Sequence, residues 1–518
     1  MSSFWSRYSK LTVVNSQLSL LQIFTEIFTP SAIIFKTRYT VPVKEYTMNL
    51  PDKLQLSSFC HTFRREEEIA LFHTLRIQTS FLKITDEDTF LQAIINRDTI
   101  SVLTLSDDQR LFAEQLLDLG ILVSDINKDK QLLEDIREDN LGYPDISILY
   151  LLLTDQCNLA CKYCFIEGAI PSGYKFSVME KSTAKAAVDL FSKQIRKCDN
   201  PEYKPSVIFY GGEPTVNWKT LESTVLYIRG KIEAGDLPEN TEISIITNGT
   251  LLGTKRIHFL RDNNVGISIS LDGPGMNNDS RIFTGGKKSF DKVMETYNSI
   301  KEERIPVSIS CTITPQNVDN LKEIAHWLVE IGVISVGFNI LMDVPGKPLV
   351  DEGLVYRAVD GITESYKLFR EHGIYEDRMG RKIDAFTNQR IYPFDCGGYG
   401  GQMVIAPDGQ IGICHAYLGE RKYFTANVCS ESDFEPSKDP GFIEWSKRSP
   451  LNMEQCYSCP VLGICGGGCA KNAEMRHGTI WGLDDRFCIH AKHTLEWMIW
   501  DLFDIVSSAQ ITSDQKGG

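Results

Sequence analysis

Ile148-Leu149-Tyr150-Leu151-Leu152-Leu153-Thr154-Asp155-Gln156-Cys157-Asn158-Leu159-Ala160-Cys161-Lys162-Tyr163-Cys164-Phe165 decides the fold class of this 518-residue chain. Its first seven residues form a short apolar run of strand-like composition. The loop that follows carries three cysteines spaced C-x3-C-x2-C. A loop of this length can wrap three thiolates around one face of an iron–sulfur cubane. Three ligands rather than four leave one iron open, and an open position is where catalytic metal sites bind substrate. A zinc site with three cysteines and a distant fourth ligand is the competing reading.

Outward from this stretch, apolar β-rich runs alternate with amphipathic runs. Strands are expected at Ile148–Thr154, Ser206–Tyr210, Glu242–Thr247, Val265–Leu271, Pro306–Thr312 and Val333–Leu341, with helical patterns near 177–197, 216–234, 252–262, 288–303 and 319–331. Strands alternating with helices argue for βα units on a parallel sheet. The fold class is therefore α/β. Six units are too few for an eight-fold barrel and fit a partial (βα)6 barrel over 147–375, with active residues at the C-terminal ends of the strands.

The flanks have different character. Residues 390–490 are rich in Gly and Cys, as in small folds held by metal. Residues 491–518 hold a closing helix and a tail. Its Trp497, Met498, Trp500, Leu502 and Phe503 are interrupted by acids and read as packing groups. Residues 48–145 read as a small α+β module, either a structural cap or a winged-helix-like peptide-binding unit. There Phe72–Leu82 is strand-like, 86–96 and 106–119 are helical, Gly120 stops the second helix and 121–123 forms a short strand. Residues 1–47 form an extension, poorly ordered or preceding a true start at Met48. Its apolar run Leu18–Phe35 is broken by Glu26 and Pro30 and is too short to span a bilayer. A signal peptide there would conflict with the cysteine clusters.

Composition excludes some classes. The net charge is −14, with no basic tract, so nucleic acid is not an expected partner. Fourteen cysteines in a chain of this size are too dilute for a disulfide scaffold and too clustered for chance. They imply metal ligation in a reducing, cytoplasmic compartment. Cys60, Cys198 and Cys311 read as buried small apolar residues. Cys396 and Cys414, then Cys456-x2-Cys459-x5-Cys465-x3-Cys469, then Cys488, give seven thiolates: one full four-ligand site and one with three protein ligands. Zinc competes here as well.

The C-x3-C-x-Tyr-C-Phe motif after a first strand resembles the radical S-adenosylmethionine (SAM) enzymes. The resemblance implies a [4Fe-4S] cluster on Cys157, Cys161 and Cys164. Its free iron would chelate SAM, and its electron would cleave SAM to methionine and a 5′-deoxyadenosyl radical. Tyr210-Gly211-Gly212-Glu213-Pro214, at the end of the second strand, resembles the segment that holds the SAM amino group. Tyr163, Gly211, Gly212, Glu213, Ser270 and Arg281 would then be the SAM-binding residues, with Ser270 at the ribose and Arg281 at the carboxylate. The run Gly285–Met294 looks like the anaerobic sulfatase-maturase branch. The C-terminal cysteines resemble a SPASM domain, which implies two auxiliary [4Fe-4S] clusters: Cys396, Cys414 and Cys469 on the first, Cys456, Cys459, Cys465 and Cys488 on the second. Three clusters in all are expected.

The resemblance covers about 147–490 and also has departures. Sulfatase maturases follow the equivalent of Cys414 with a catalytic Asp, whereas here His415 follows. Residues 397–401 read Gly-Gly-Tyr-Gly-Gly, with no extra cysteine, so the first auxiliary cluster has an open iron unless Cys429 fills it. His415 and Tyr210 are the candidate catalytic groups, and Asp384 or Asp395 the acids that could face substrate. Residues 48–145 look like leader-peptide recognition modules. The expected function is a peptide maturase that forms a thioether or cyclophane cross-link. Its partners would be a precursor peptide with a leader and an electron donor such as flavodoxin or ferredoxin, with no membrane. Formylglycine generation on a sulfatase is the alternative enzyme. A zinc-stabilised binding protein is the alternative of another class.

Overall fold

The computed structural model describes residues 50–83, 88–143, 145–168, 173–198, 204–343 and 350–514. The expectations for the 1–47 extension, its Leu18–Phe35 run and Met48 lie outside the described residues.

The N-terminal module opens with β1 (Lys53–Leu56), β2 (Cys60–Arg65), β3 (Glu68–His73) and β4 (Gln78–Lys83), followed by β5 (Ile100–Ser101) and β6 (Leu122–Val123). Strands β2, β3 and β4 form an antiparallel meander, and β5, β1 and β6 a second small sheet. The run Phe72–Leu82, expected as one strand, is two. Ile77 turns to a φ of 52° and its N–H donates to the His73 carbonyl at 2.8 Å, which folds β4 back on β3. Helix Asp107–Asp118 starts with a capping box between Ser106 and Gln109, and Gly120 follows it at φ 69°.

Strand alternation explains how this module is held. Ile69, Leu71 and Leu82 pack against Phe90, Ile94 and Leu116 of the module's own helices. Ala70, Phe72 and Phe81 point the other way, onto Phe386, Ile464 and the last helix. Phe72 and Phe386 stack at 5.9 Å between ring centroids. Phe72→Ala is expected to cost about 3–5 kcal/mol, the usual range for emptying a buried aromatic site. Thermal unfolding should show a clear drop in midpoint, with no such drop for Leu103→Ala, whose side chain is 77% exposed.

The central sheet is built from β7 (Ile148–Leu152), β8 (Ser206–Tyr210), β9 (Glu242–Thr247), β10 (Val265–Ser270), β11 (Val307–Ile313) and β12 (Ser335–Ile340). Neighbours pair in parallel and in chain order. The helices between them start at Lys181, Trp218, Thr254, Phe290 and Leu321. β10 and β11 show why the sheet buries one face. Ile267, Ile269, Ile309 and Cys311 face the helices, whereas Ser268, Ser270, Ser308 and Ser310 are half-buried on the inner face. Small hydroxyls there leave room for a polar ligand.

Four further strands of this sheet were not visible as strands in the sequence. After β13 (Tyr375–Glu376) has joined β12, β14 (Gln402–Ile405) pairs in parallel with β7, and β15 (Gln410–Gly412) and β16 (Phe424–Asn427) continue antiparallel. The sheet thus reaches ten strands. The closing helix, Asp485–Asp514, begins earlier than expected, so Cys488 lies on it. Met498, Trp500 and Leu502 are buried, and Arg65 lies over the Trp500 ring at 4.7 Å. No described helix is long and apolar enough to cross a membrane.

Candidate active site

The three-cysteine loop leaves β7 and is fastened on two sides. On one side Gly212 N donates to Thr154 O at 2.8 Å and Glu213 N to Gln156 O at 2.9 Å. On the other, Ala160 N donates to Ile282 O at 2.7 Å and Lys162 N to Ser280 O at 3.0 Å. Asp155 locks the loop base by accepting from Ser177 N at 2.7 Å and Tyr174 OH at 2.8 Å. Cys157, Cys161 and Cys164 are all half-buried, and none is in a disulfide. Leu159 N lies 3.4 Å from Cys157 Sγ, a bond suited to a thiolate. Burial pushes the Cys157 thiol up to about 12, so metal binding there must displace protons.

Glycines at 211 and 212 are required by this fastening. A Cβ at Gly211 would sit 2.3 Å from Thr154 O, and one at Gly212 2.3 Å from Gln156 O. What approaches these glycines is the cysteine loop itself. Glu213 points inward, where Oε1 accepts from Thr247 Oγ1 at 2.7 Å and Thr215 N at 3.1 Å, and Oε2 from Asn248 N at 2.7 Å. Burial raises its pKa, against these donors. Its carboxylate thus ties the end of β8 to the end of β9.

Arg281 and Tyr163 come together. Arg281 is buried and its Nη1 donates to Tyr163 OH at 2.7 Å, while Tyr163 OH makes a short hydrogen bond to Asp272. Arg281 Nη1 lies 3.9 Å from Asp272 Oδ1, and Arg281 Nε is buried without a hydrogen-bond partner. A guanidinium with an unused donor beside Cys161 fits a ligand carboxylate. Ser270 is half-buried on the inner face of β10. Asp272 escaped the sequence reading because its partner is 109 residues away.

His415 is boxed by rings. Its centroid lies 5.0 Å from Tyr210, 5.1 Å from Tyr150 and 5.9 Å from Phe165. Burial lowers its pKa to about 4, which keeps the imidazole neutral, and Nδ1 has no hydrogen-bond partner. Tyr210 and His415 therefore meet at one place, between Cys164 and Cys414. Tyr150 joins them because its position in β7 points to the inner face.

The C-terminal cysteines form two groups. Cys456, Cys459, Cys465 and Cys488 line a single cavity with Met453 and Phe487. Cys396, Cys414 and Cys469 lie close together: beyond burial, the charges of Cys396 and Cys469 raise the Cys414 thiol's pKa, and that of Cys469 raises the Cys396 thiol's. Cys396 is exposed, and its Sγ accepts from Gly398 N at 3.4 Å. Cys429 is elsewhere: it is exposed, 3.6 Å from Thr183 Oγ1, at the opposite end of β15 from Cys414. Cys198 is half-buried and donates to Asp145 at 3.1 Å, unlike the fully buried Cys60 and Cys311.

Among the described residues no group of three or more His, Cys, Asp or Glu side chains converges on one ion. Buried charge bears on what the C-terminal thiols hold. Among the described residues the acids paired with Arg378, Arg381 and Lys382 are Asp377 and Asp395, and Lys382 Nζ is fully buried, without a hydrogen bond and beside Cys465. A surplus buried cation fits an anionic cluster. Asp395 is thus locked among cations and Asp384 is paired with Arg390, so neither is a free acid for substrate.

A radical SAM superfamily profile matches residues 151–328. A serine-type anaerobic sulfatase-maturating enzyme of Bacteroides thetaiotaomicron is 30% identical over 61% of this chain and 80% of its own length. A radical SAM cyclopropyl synthase, TigE, of Paramaledivibacter caminithermalis is 26% identical over 66% of this chain and 72% of its own. The solved structure of native anSMEcpe with bound AdoMet and Cp18Cys peptide has the same fold. Its TM-score is 0.59 at 20% identity, covering 70% of this chain and 100% of that one. With its cysteine loop, Tyr163–Arg281 pair and parallel sheet, this chain belongs to the radical SAM superfamily of enzymes.

Proposed function

We propose that the chain modifies a ribosomally synthesised peptide by forming a C–S or C–C cross-link, an oxidation that removes two hydrogens. The observation that carries this reading is the arrangement around His415. One buried cluster of rings joins the loop of Cys157, Cys161 and Cys164 to Cys414 of the C-terminal set through Tyr150, Phe165 and Tyr210. A radical-generating centre and an auxiliary redox centre would then flank that cluster. When bound, a [4Fe-4S] cluster with SAM supplies a 5′-deoxyadenosyl radical for hydrogen abstraction. The chain's residues hold and shield that chemistry. Cys157, Cys161 and Cys164 hold the first cluster, Arg281 with Tyr163 orients the SAM carboxylate, and the serines of β10 and β11 face its polar end. Rings around neutral His415 exclude water from the reacting carbon.

Two auxiliary clusters complete the set, on Cys396, Cys414 and Cys469 and on Cys456, Cys459, Cys465 and Cys488, in a SPASM-like domain. The first has three protein thiols and Cys429 apart from it, which suits a substrate thiol as the fourth ligand and favours a thioether. Among the described residues β2 and β4 each pair with β3 alone, so the winged-helix-like module offers edges to which a leader can add as a strand. Flavodoxin or ferredoxin is the electron source, in the cytoplasm. Sulfatase maturation is the second reading, favoured by the 30% identical relative and opposed by His415 in place of an acid.

Anaerobically reconstituted enzyme, SAM, reductant and a short Cys-rich or aromatic-rich peptide found encoded next to its gene should give a product lighter by two hydrogens. A formylglycine in a sulfatase peptide instead would establish the second reading. For Arg281→Met, SAM binding measured by equilibrium dialysis should weaken about ten- to a hundredfold, the value of a hydrogen bond to a charged group. Arg281→Lys should recover part of it, because the charge returns without the fork.

A further inference from the structure

Four exposed apolar side chains stand on the connections that follow β7, β8 and β9: Phe176 at 53%, Val178 at 44%, Val216 at 39% and Leu251 at 37%. Isolated exposed apolar residues are ordinary, but contiguous ones mark interaction sites. The segments that carry them adjoin. Met179 O accepts from Asn217 Nδ2 at 2.9 Å and Thr220 Oγ1 at 3.1 Å, which ties the segment of Phe176 and Val178 to that of Val216. Arg256 donates to Thr215 O at 3.2 Å and Leu251 O at 2.9 Å, which ties the segment of Val216 to that of Leu251.

The rim of this patch is basic in a chain whose net charge is −14. Lys175, Lys181, Lys219 and Lys255 are exposed beside the four apolar residues, with Arg256 between them. Against these five cations stand Glu180 and Glu222. The patch also lies over the cysteine loop. Asn158 Nδ2 donates to Thr250 Oγ1 at 2.8 Å, and Asn248 Nδ2 lies 3.8 Å from Cys157 Sγ. Leu251, the next residue, is thus separated from Cys157 by little more than Thr250 and the two asparagines.

We infer that this face docks an acidic one-electron carrier protein that reduces the cluster on Cys157, Cys161 and Cys164. The inference rests on the cluster reading above. The carrier's reduced centre loses one electron and the cluster gains it, and no bond or proton changes place. The lysines steer the carrier by charge, which makes the association sensitive to salt. The apolar centre, once covered, holds it over Cys157.

The test uses the full-length, cluster-loaded enzyme and follows 5′-deoxyadenosine release with three reductants: reduced flavodoxin, reduced ferredoxin and dithionite. Dithionite is small and needs no docking face. In Lys219→Glu/Lys255→Glu, the rate with the carrier that serves the parent should fall at least tenfold in kcat/KM, mainly through KM, and lose its salt dependence. The dithionite rate should stay unchanged. Leu251→Glu and Lys175→Glu/Lys181→Glu, on opposite sides of the patch, should behave alike. An unaltered carrier rate in the variants, an equal loss with dithionite, or a parent that dithionite reduces and neither carrier does, overturns the docking site. A parent inactive with dithionite despite full iron overturns the cluster reading beneath it.

Discussion

Replacing Cys157, Cys161 and Cys164 together by Ala is expected to abolish SAM cleavage while leaving about eight of about twelve irons per chain. The argument is one of separation. These thiols sit on a loop held by β8 and by residues 280–282, and none of those contacts involves the C-terminal cysteines. Cys456, Cys459, Cys465 and Cys488 close their own cavity, and Cys396, Cys414 and Cys469 face one another. Cluster binding is coupled to local folding, so each set should load where its own ligands are intact. Iron and sulfide per chain after anaerobic reconstitution, with 5′-deoxyadenosine release, read both halves of the result. Zinc in place of iron in the parent would remove the radical reading. Loss of all iron in the variant would show that the three sites assemble as one unit.

The sequence exposed this first set because its spacing is local, and it exposed the six parallel strands because apolar runs alternate with amphipathic ones. β8 and β9 were read to the residue, since turn-forming residues bound both. What it hid depends on partners far along the chain. β14 has only four residues, between Gly400-Gly401 and Pro407-Asp408-Gly409; it is a strand of this sheet because β7, some 250 residues earlier, supplies its ladder. Arg281 and Tyr163 were visible as candidates, but Asp272, which joins them, was not. Glu213 is expected at the SAM amino group, and what the sequence hid is that its oxygens also accept from Thr247 Oγ1 and Asn248 N. Asp395 was read as a possible substrate acid, and three cations occupy it. In each case the residue type was legible and the geometry was not, because burial and pairing are tertiary.

The two glycines after β8 illustrate the same point and carry the second large effect. Gly211→Ala is expected to lower SAM cleavage at least a hundredfold and to release the iron held by the three-cysteine loop. Gly211 has a φ of 137°, outside the range most side chains adopt. An added Cβ would meet Thr154 O at 2.3 Å, and that atom is backbone, with no rotamer to yield. Relief requires the loop to move away, which breaks the bonds from Gly212 N to Thr154 O and from Glu213 N to Gln156 O. Strain of this kind costs about 1–3 kcal/mol. Each lost bond adds about 1 kcal/mol. The larger consequence is positional, since Gln156 is joined directly to Cys157, and a shift of about 1 Å at a reacting centre costs on the order of a hundredfold in rate. Gly230→Ala is the matched control. Gly230 lies within helix Trp218–Glu233 with nothing within 4 Å of the added atom. Alanine there should stabilise by about 0.5–1 kcal/mol and leave iron and rate unchanged. If Gly211→Ala kept parental iron and rate, the pair of glycines would be a simple turn, and the clamp between β8 and the cysteine loop would not exist.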